Sequence, residues 1–367
     1  MNESSRFPTY LRIVISIIGI YFLFAILIAG QSIIVPIIYA SLFAILLNPI
    51  VRLFTRIGLN RVLSIIITLI LALFSIAMLF IFLSSQASHF SESLPLVIDK
   101  FYKLLDQSVN DFSGYFNISA GSIMDWLAKT RGEELSKFSS GISSAISSME
   151  STLFVLLIIP IYIFMILFYK PLLMEFLQKL AGKLHKQQVD EFLSSTKSLI
   201  QSYLIGLLIE AAIVATMYSA GLLIIGIEYA ILLGIIGALL NIIPYIGGVL
   251  AVTLYMLIDF TTKDSASGVL WIAMLFVFVH VIDNSYIIPK VVAAKVKINA
   301  LVAITAVLTG GAIWGVPGMF LAIPLTGVIK LVFDRIEIVK PFGFLLGDTM
   351  PDIIRFKIKK RKKKINK

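Results

Sequence analysis

Residues 228–258 read EYAILLGIIGALLNIIPYIGGVLAVTLYMLI, a run of 31 residues with no charge after Glu228. One straight helix of that length would extend roughly 46 Å, well past a hydrocarbon core of about 30 Å. The run is also interrupted near its middle by Asn241-Ile-Ile-Pro244-Tyr245-Ile-Gly247-Gly248. Proline removes a helical donor and glycine is a poor helix former, so the cluster predicts a break. Asn299–Val332 repeats the pattern: it is longer still, and its interruption is Thr309-Gly310-Gly311-Ala-Ile-Trp314-Gly315-Val-Pro317-Gly318. Each segment therefore reads as two half-helices meeting at a tip, at 241–248 and at 309–318.

The rest of the chain makes the solvent for these segments a bilayer. Of 367 residues, 59% are hydrophobic and 14% charged, and the mean hydropathy is +0.97; a soluble chain is about half apolar and about a quarter charged. Apolar runs lie at Leu11–Ala29, Ile33–Val51, Val62–Leu83, Leu153–Tyr169, Tyr203–Ile225 and 268–288, each near the length of a span. The chain has no cysteine, which excludes a disulfide framework and a thiol nucleophile. The net charge of +10 resides almost wholly in residues 355–367, which hold nine Lys or Arg and no acid. A basic tail beside membrane spans marks the cytoplasmic side and meets anionic lipid, so nucleic acid is not expected as a partner.

Charge also orients the spans. Arg6 and Arg12 stand at the N-terminal side of the first run, and Arg52, Arg56 and Arg61 follow the second, placing both sites inside. Residues 84–150 carry eight acids against five bases, with apolar residues at helical spacing (Val97, Phe101, Leu104, then Trp126, Leu127, Phe138); they read as an extracytoplasmic amphipathic insert. Lys170, Lys179, Lys183, Lys186 and Lys197 mark an amphipathic cytoplasmic stretch after the fourth span. If 228–258 and 299–332 each crossed once, the lysines at 290, 295 and 297 would face outward, against the positive-inside tendency. Two re-entrant hairpins place them in the cytoplasm instead. Span plus hairpin then occurs twice in opposite orientation, at 203–258 and 267–333, the inverted repeat of many secondary transporters.

Polar residues inside spans are the candidates for function. An acid deep in a membrane helix costs about 2.5–3.5 kcal/mol on insertion scales, so it calls for a role or a partner. Asp283 follows His280 and precedes Asn284, and the i, i+3, i+4 spacing predicts one shared helical face. A carboxylate with a neighbouring imidazole and amide would bind a cation or exchange a proton; the competing reading pairs Asp283 with Lys290. Glu210, seven residues into the fifth span, is either a functional acid or the partner of a snorkelling lysine. Tyr245 and Trp314 offer a hydroxyl and a ring at the two tips, although both residue types also serve as interfacial anchors. No GxSxG, GxxxxGK[ST] or paired-histidine metal motif is present, so an enzyme and an ATP-driven pump are disfavoured, and no cofactor or metal is expected.

Asn241-Ile-Ile-Pro244-Tyr245-Ile-Gly247-Gly248, Asp283-Asn284 with Pro289-Lys290-Val-Val, and Gly310-Gly311 with Gly315 and Gly318-Met-Phe-Leu-Ala-Ile-Pro324 resemble the AI-2E family of transporters, named for export of the signal autoinducer-2. Leu207 after Gly206, Ala293 and Ala300 depart from the commoner Gln, Gly and Pro of that family. The resemblance implies a small-solute exporter or, as in some members, a sodium or lithium/proton antiporter, and it implies a homo-oligomer.

The expected molecule is an all-α polytopic protein of the bacterial inner membrane, with about six full spans, two re-entrant hairpins and both termini cytoplasmic. Its expected regions are three spans in 1–83, the insert at 84–150, a span and cytoplasmic helix in 151–202, the two repeats at 203–258 and 267–333, and the basic tail at 334–367. Its substrate or ion pathway is expected at Asn241, Pro244, Tyr245, Gly247, Gly248, His280, Asp283, Asn284, Pro289, Gly310, Gly311, Trp314, Gly315, Pro317, Gly318 and Glu210, with a proton or sodium ion as the coupling ion. A non-transporting scaffold docking through 84–150 is the alternative from a different class.

Overall fold

A computed structural model describes residues 8–85, 103, 149–180, 186–243, 247–263, 266–292 and 297–348. The expected insert (apart from its ends and residue 103), the tip residues Pro244 and Tyr245, and the lysine tail lie outside these residues. What is described is helical: α1 (Thr9–Ala29), α2 (Gln31–Arg56), α3 (Arg61–Ser85), α4 (Met149–Phe168), α5 (Lys170–Leu180), α6 (Lys186–Ile225), α7 (Ala230–Asn241), α8 (Gly247–Lys263), α9 (Ala266–Ile282), a π-helical turn at Asp283–Val292, α10 (Ala300–Phe333) and α11 (Lys340–Leu346). Among the described residues five helices are long and apolar enough to cross a membrane by length and composition, α10 being counted across its internal break, and α4 with α5, bent by 63°, makes a sixth if the pair is one span. Helices 13–29, 230–241 and 247–259 are apolar but shorter.

Three buried clusters hold the bundle. Ala40, Ala44, Val51, Ile65, Ile163 and Leu167 join α2, α3 and α4. Leu42, Leu199, Tyr203, Leu204, Leu207 and Leu321 join α2, α6 and α10. Val214, Tyr218, Leu222, Leu233, Tyr255, Ile272 and Val279 join α6 to α7, α8 and α9. α6 is the common member of the last two and packs against α2, α5, α7, α9, α10 and the π-helical turn. The amphipathic stretch and the fifth span were expected as separate pieces; the residues from Lys186 onward run straight into the span as one 40-residue helix. It stops at Gly226, whose φ of 78° lets Ile227 N–H reach Leu222 O (2.9 Å) and Gly226 N–H reach Leu223 O (3.0 Å), a left-handed C-terminal cap.

The long apolar segments both break, each at its Gly/Pro cluster. α7 and α8 lie antiparallel: Tyr255 Oη donates to Leu233 O (3.0 Å), Gly237 abuts Tyr255 and Ala251, and Gly247 abuts the Leu240 carbonyl. In α10 nearly all of the 309–318 cluster stays helical and the break is confined to Gly315, at φ 64°, ψ −146°. That combination is essentially open to glycine alone. The chain reverses there, because a Cβ on Gly310 would lie 3.3 Å from the Cβ of Ala322. In a straight helix those residues would be ~18 Å apart along the axis. The start of α10 accordingly meets α11: Asn299 Nδ2 donates to Leu345 O (2.7 Å) and Gly347 O (3.0 Å) while its Oδ1 caps Val302 N–H (2.9 Å). Gly343 packs on Asp334 at the other end.

Candidate functional site

The buried acids find each other through the first break. Asn241 is the last residue of α7, and its side-chain amide donates to Asp283 Oδ2 at 3.0 Å and to Glu210 Oε1 at 3.4 Å. Three elements thus contribute one side chain each: α6, α7 and the π-helical turn. Glu210 is 6% exposed and Asp283 3%, and Glu210 lies between Leu207 and Val214, where two of the apolar clusters adjoin. The two carboxylates are therefore no farther apart than the sum of their contacts to one nitrogen. Among the described residues neither has a lysine partner of the kind the sequence left open; Lys290 sits over the Tyr286 ring instead, 5.7 Å from its centroid.

Local structure explains the convergence. Pro289 cannot donate a backbone hydrogen bond, and the helix widens around it into a π-helical turn that begins at Asp283. Such turns are frequent at functional sites. The absence of a side chain at Gly248 leaves room for Asn241, because a Cβ there would lie 3.3 Å from Asn241 Oδ1. Asp283 Oδ1 is buried and accepts no hydrogen bond from any described residue. An ionised carboxylate oxygen without a donor in an apolar interior is strongly disfavoured. Two carboxylates on one amide therefore call for a proton or a cation.

Expectations for the other residues divide. His280 and Asn284 differ from Asp283 in burial: both are exposed, and Asn284 Nδ2 lies 3.1 Å from His280 Nε2 and donates to His280 O (2.9 Å), while the His280 ring stacks on Phe276. One helical step of about 100° separates 283 from 284, and the buried edge, marked by Val279, Asp283 and Ile287, falls between them. Pro289 is exposed and acts through the backbone. Trp314 is not free to meet a solute through its N–H, because Nε1 donates to Leu27 O at the end of α1 (2.9 Å). Pro317 O accepts from Tyr39 Oη of α2 (3.1 Å). The second break is thus fastened to the first helical pair, and Gly310 and Gly318 close its two arms on one another. Among the described residues, Gly311 abuts Met319 and Gly315 has no atom within 4 Å of an added Cβ, so neither touches the acids.

A model of the AI-2E family transporters matches residues 12–338, nearly the whole chain. The chain belongs to the AI-2E transporter family. Its relatives include YrrI of Bacillus subtilis (strain 168), a candidate transport protein 25% identical over 309 residues, 82% of this chain and 86% of the relative. YhhT of Escherichia coli (strain K12), also a candidate transport protein, is 24% identical over 333 residues, 88% of this chain and 90% of its own. The AI-2 transport protein TqsA of the same strain is 23% identical over 336 residues, 87% and 90% of the two chains. Membership in this family and several long apolar helices make the protein a multi-pass membrane protein of a transporter family. An ionisable residue within a membrane helix is a candidate functional group by default.

Proposed function

We propose that the protein is an inner-membrane secondary transporter that exports a small organic solute by alternating access, with a proton or sodium ion as the coupling ion. The observation that carries this reading is the convergence of Glu210, Asn241 and Asp283 from three elements at the end of a broken apolar hairpin. Non-helical backbone at membrane depth is tolerated where it is enclosed or lines a cavity, and paired acids there are apt carriers of charge. The 241–248 and 309–318 breaks are proposed as tips of two re-entrant hairpins related by inverted topology, with both termini cytoplasmic. Chain reversal at each break and the lysines at 290, 295 and 297 support this arrangement. An autoinducer-2-like signal is the first solute to test, because one relative is named for it. A homo-oligomer is proposed on the strength of the family resemblance.

A second reading, sodium or lithium/proton antiport, is favoured by one specific feature, the buried Asp283 Oδ1 that no described donor reaches. That oxygen suits a monovalent cation as well as a proton.

Everted vesicles turn the cytoplasmic face outward, so an exporter accumulates its solute inside them. With an imposed pH or sodium gradient, wild-type vesicles should take up autoinducer-2, and Asp283→Asn and Asn241→Ala vesicles with equal protein should fall to background. Uptake unaffected by both substitutions would remove the Glu210–Asn241–Asp283 site from the pathway. Absence of uptake in wild type would exclude autoinducer-2 as the solute. A scaffold would lose its function on alteration of 84–150 and keep it in both variants.

A further inference from the structure

A second polar cluster, with no residue in common with the first, sits at helix ends that the sequence places in the cytoplasm. Lys170, the first residue of α5, donates to Asn48 Oδ1 of α2 at 2.9 Å. Arg61, at the start of α3, donates to the Leu167 carbonyl at the end of α4 at 2.6 Å. Arg52 lies one turn beyond Asn48 on α2, and Lys197 approaches from α6. Burial, followed by the charges of Arg52, Lys197 and Arg61, lowers Lys170 from its ordinary 10.5 to about 8. Burial and Arg52 lower Lys197 as well.

Four cations from four helices are thus gathered with no carboxylate among them. Among the described residues none is ion-paired: Glu175 is engaged by Lys179, and Asp190 by Gln178. Like charges held together destabilise the fold unless something neutralises them. An independent feature indicates the sign of what is missing. Asn48 is 6% exposed, and its Nδ2 is a buried donor with no acceptor among the described residues. On the α6 side, Lys197 lines a recess of about 260 Å³ whose other lining residues, Ser194, Ser198, Gln201 and Ser202, carry hydroxyl and amide groups. Charged and neutral donors, with no acidic acceptor, describe the complement of an anion with several oxygens.

We propose that this cluster is a binding site for a phosphate-bearing anion, held by Arg52, Lys170 and Lys197 with the Asn48 amide as the neutral donor. Basic pockets between helices on the cytoplasmic side take phospholipid headgroups, and a soluble phosphorylated ligand presents the same oxygens. The site is separate from Glu210, Asn241 and Asp283, so it stands whether or not these carry a solute.

The test uses the full chain purified in detergent, with thermal unfolding as the readout. Added in turn are phosphatidylglycerol, phosphatidylcholine, inorganic phosphate, and chloride at matched ionic strength. Phosphatidylglycerol or inorganic phosphate should raise the melting temperature while phosphatidylcholine and chloride do not. Arg52→Gln and Lys170→Gln should each weaken the apparent affinity roughly five-fold, and Lys179→Gln, an exposed control, should leave it unchanged. A response to phosphatidylglycerol alone assigns the site to lipid; a response to inorganic phosphate without lipid assigns it to a soluble ligand. No shift with either, or an equal shift in all variants, would overturn the proposal. Should the variants fold poorly, native mass spectrometry of the wild type decides: one retained anion per chain supports the site, and none contradicts it.

Discussion

At the scale of single residues, the backbone at Gly315 and the contact between Gly310 and Gly318 determine whether α10 reverses. A side chain at 318 would meet the Gly310 carbonyl and the Trp314 side chain, whereas one at 315 meets no atom but strains the backbone. Gly318→Ala and Gly315→Ala are each expected to cost about 1–3 kcal/mol, one through overpacking and the other through φ/ψ strain. Gly19, mid-helix with no atom within 4 Å of an added Cβ, is the control; Gly19→Ala should be neutral or stabilising by about 0.5–1 kcal/mol. Thermal unfolding in detergent reads all three, and equal behaviour at 19, 315 and 318 would contradict the reversal. Glu210, Asn241 and Asp283 were legible as individuals, since polar groups in apolar runs carry an energetic cost that marks them. Their meeting was not, because it joins residues 31 and 42 positions apart through packing that no local pattern encodes. The spacing rule placed His280 and Asn284 with Asp283, but it cannot say where around a helix burial ends. Asn48 passed unnoticed inside an apolar run, although the same cost argument applied to it.

Among the elements, the two interruptions were plain in the sequence because glycine and proline act locally. Their extent was less plain: ten residues from 309 to 318 looked broken, and only Gly315 is, since glycines at a close helix contact are needed for space and not for a bend. The π-helical turn at Asp283–Val292 and the continuation of the fifth span into α6 were also beyond local reading; both depend on packing against neighbours. Re-entry itself is testable element by element because the chain has no cysteine. With single cysteines, Glu228→Cys and Ser267→Cys should both react with an impermeant maleimide added to intact cells. Lys297→Cys and Lys340→Cys should react only in everted vesicles. Reaction of 228 and 267 from opposite sides would show that 228–258 crosses once, and the inverted repeat would be lost.

For the whole molecule, the class of protein was readable from composition and the family from its motifs, whereas the organisation around α6 was not. That helix borders two of the three buried clusters and carries Glu210 where they adjoin. Movement of one broken hairpin relative to α6 would alter the contacts of Asn241 with Glu210 and Asp283, and with them the charge the site tolerates. The central claim is that this pair of carboxylates carries the coupling charge. Its most direct test is proton movement in everted vesicles after pulses of sodium, lithium or autoinducer-2, with wild type beside Asp283→Asn at equal expression. A proton flux evoked by at least one of the three is expected in wild type and none in Asp283→Asn. A wild-type flux that survives intact in Asp283→Asn, or no flux with any of the three in folded wild-type protein, would contradict the claim.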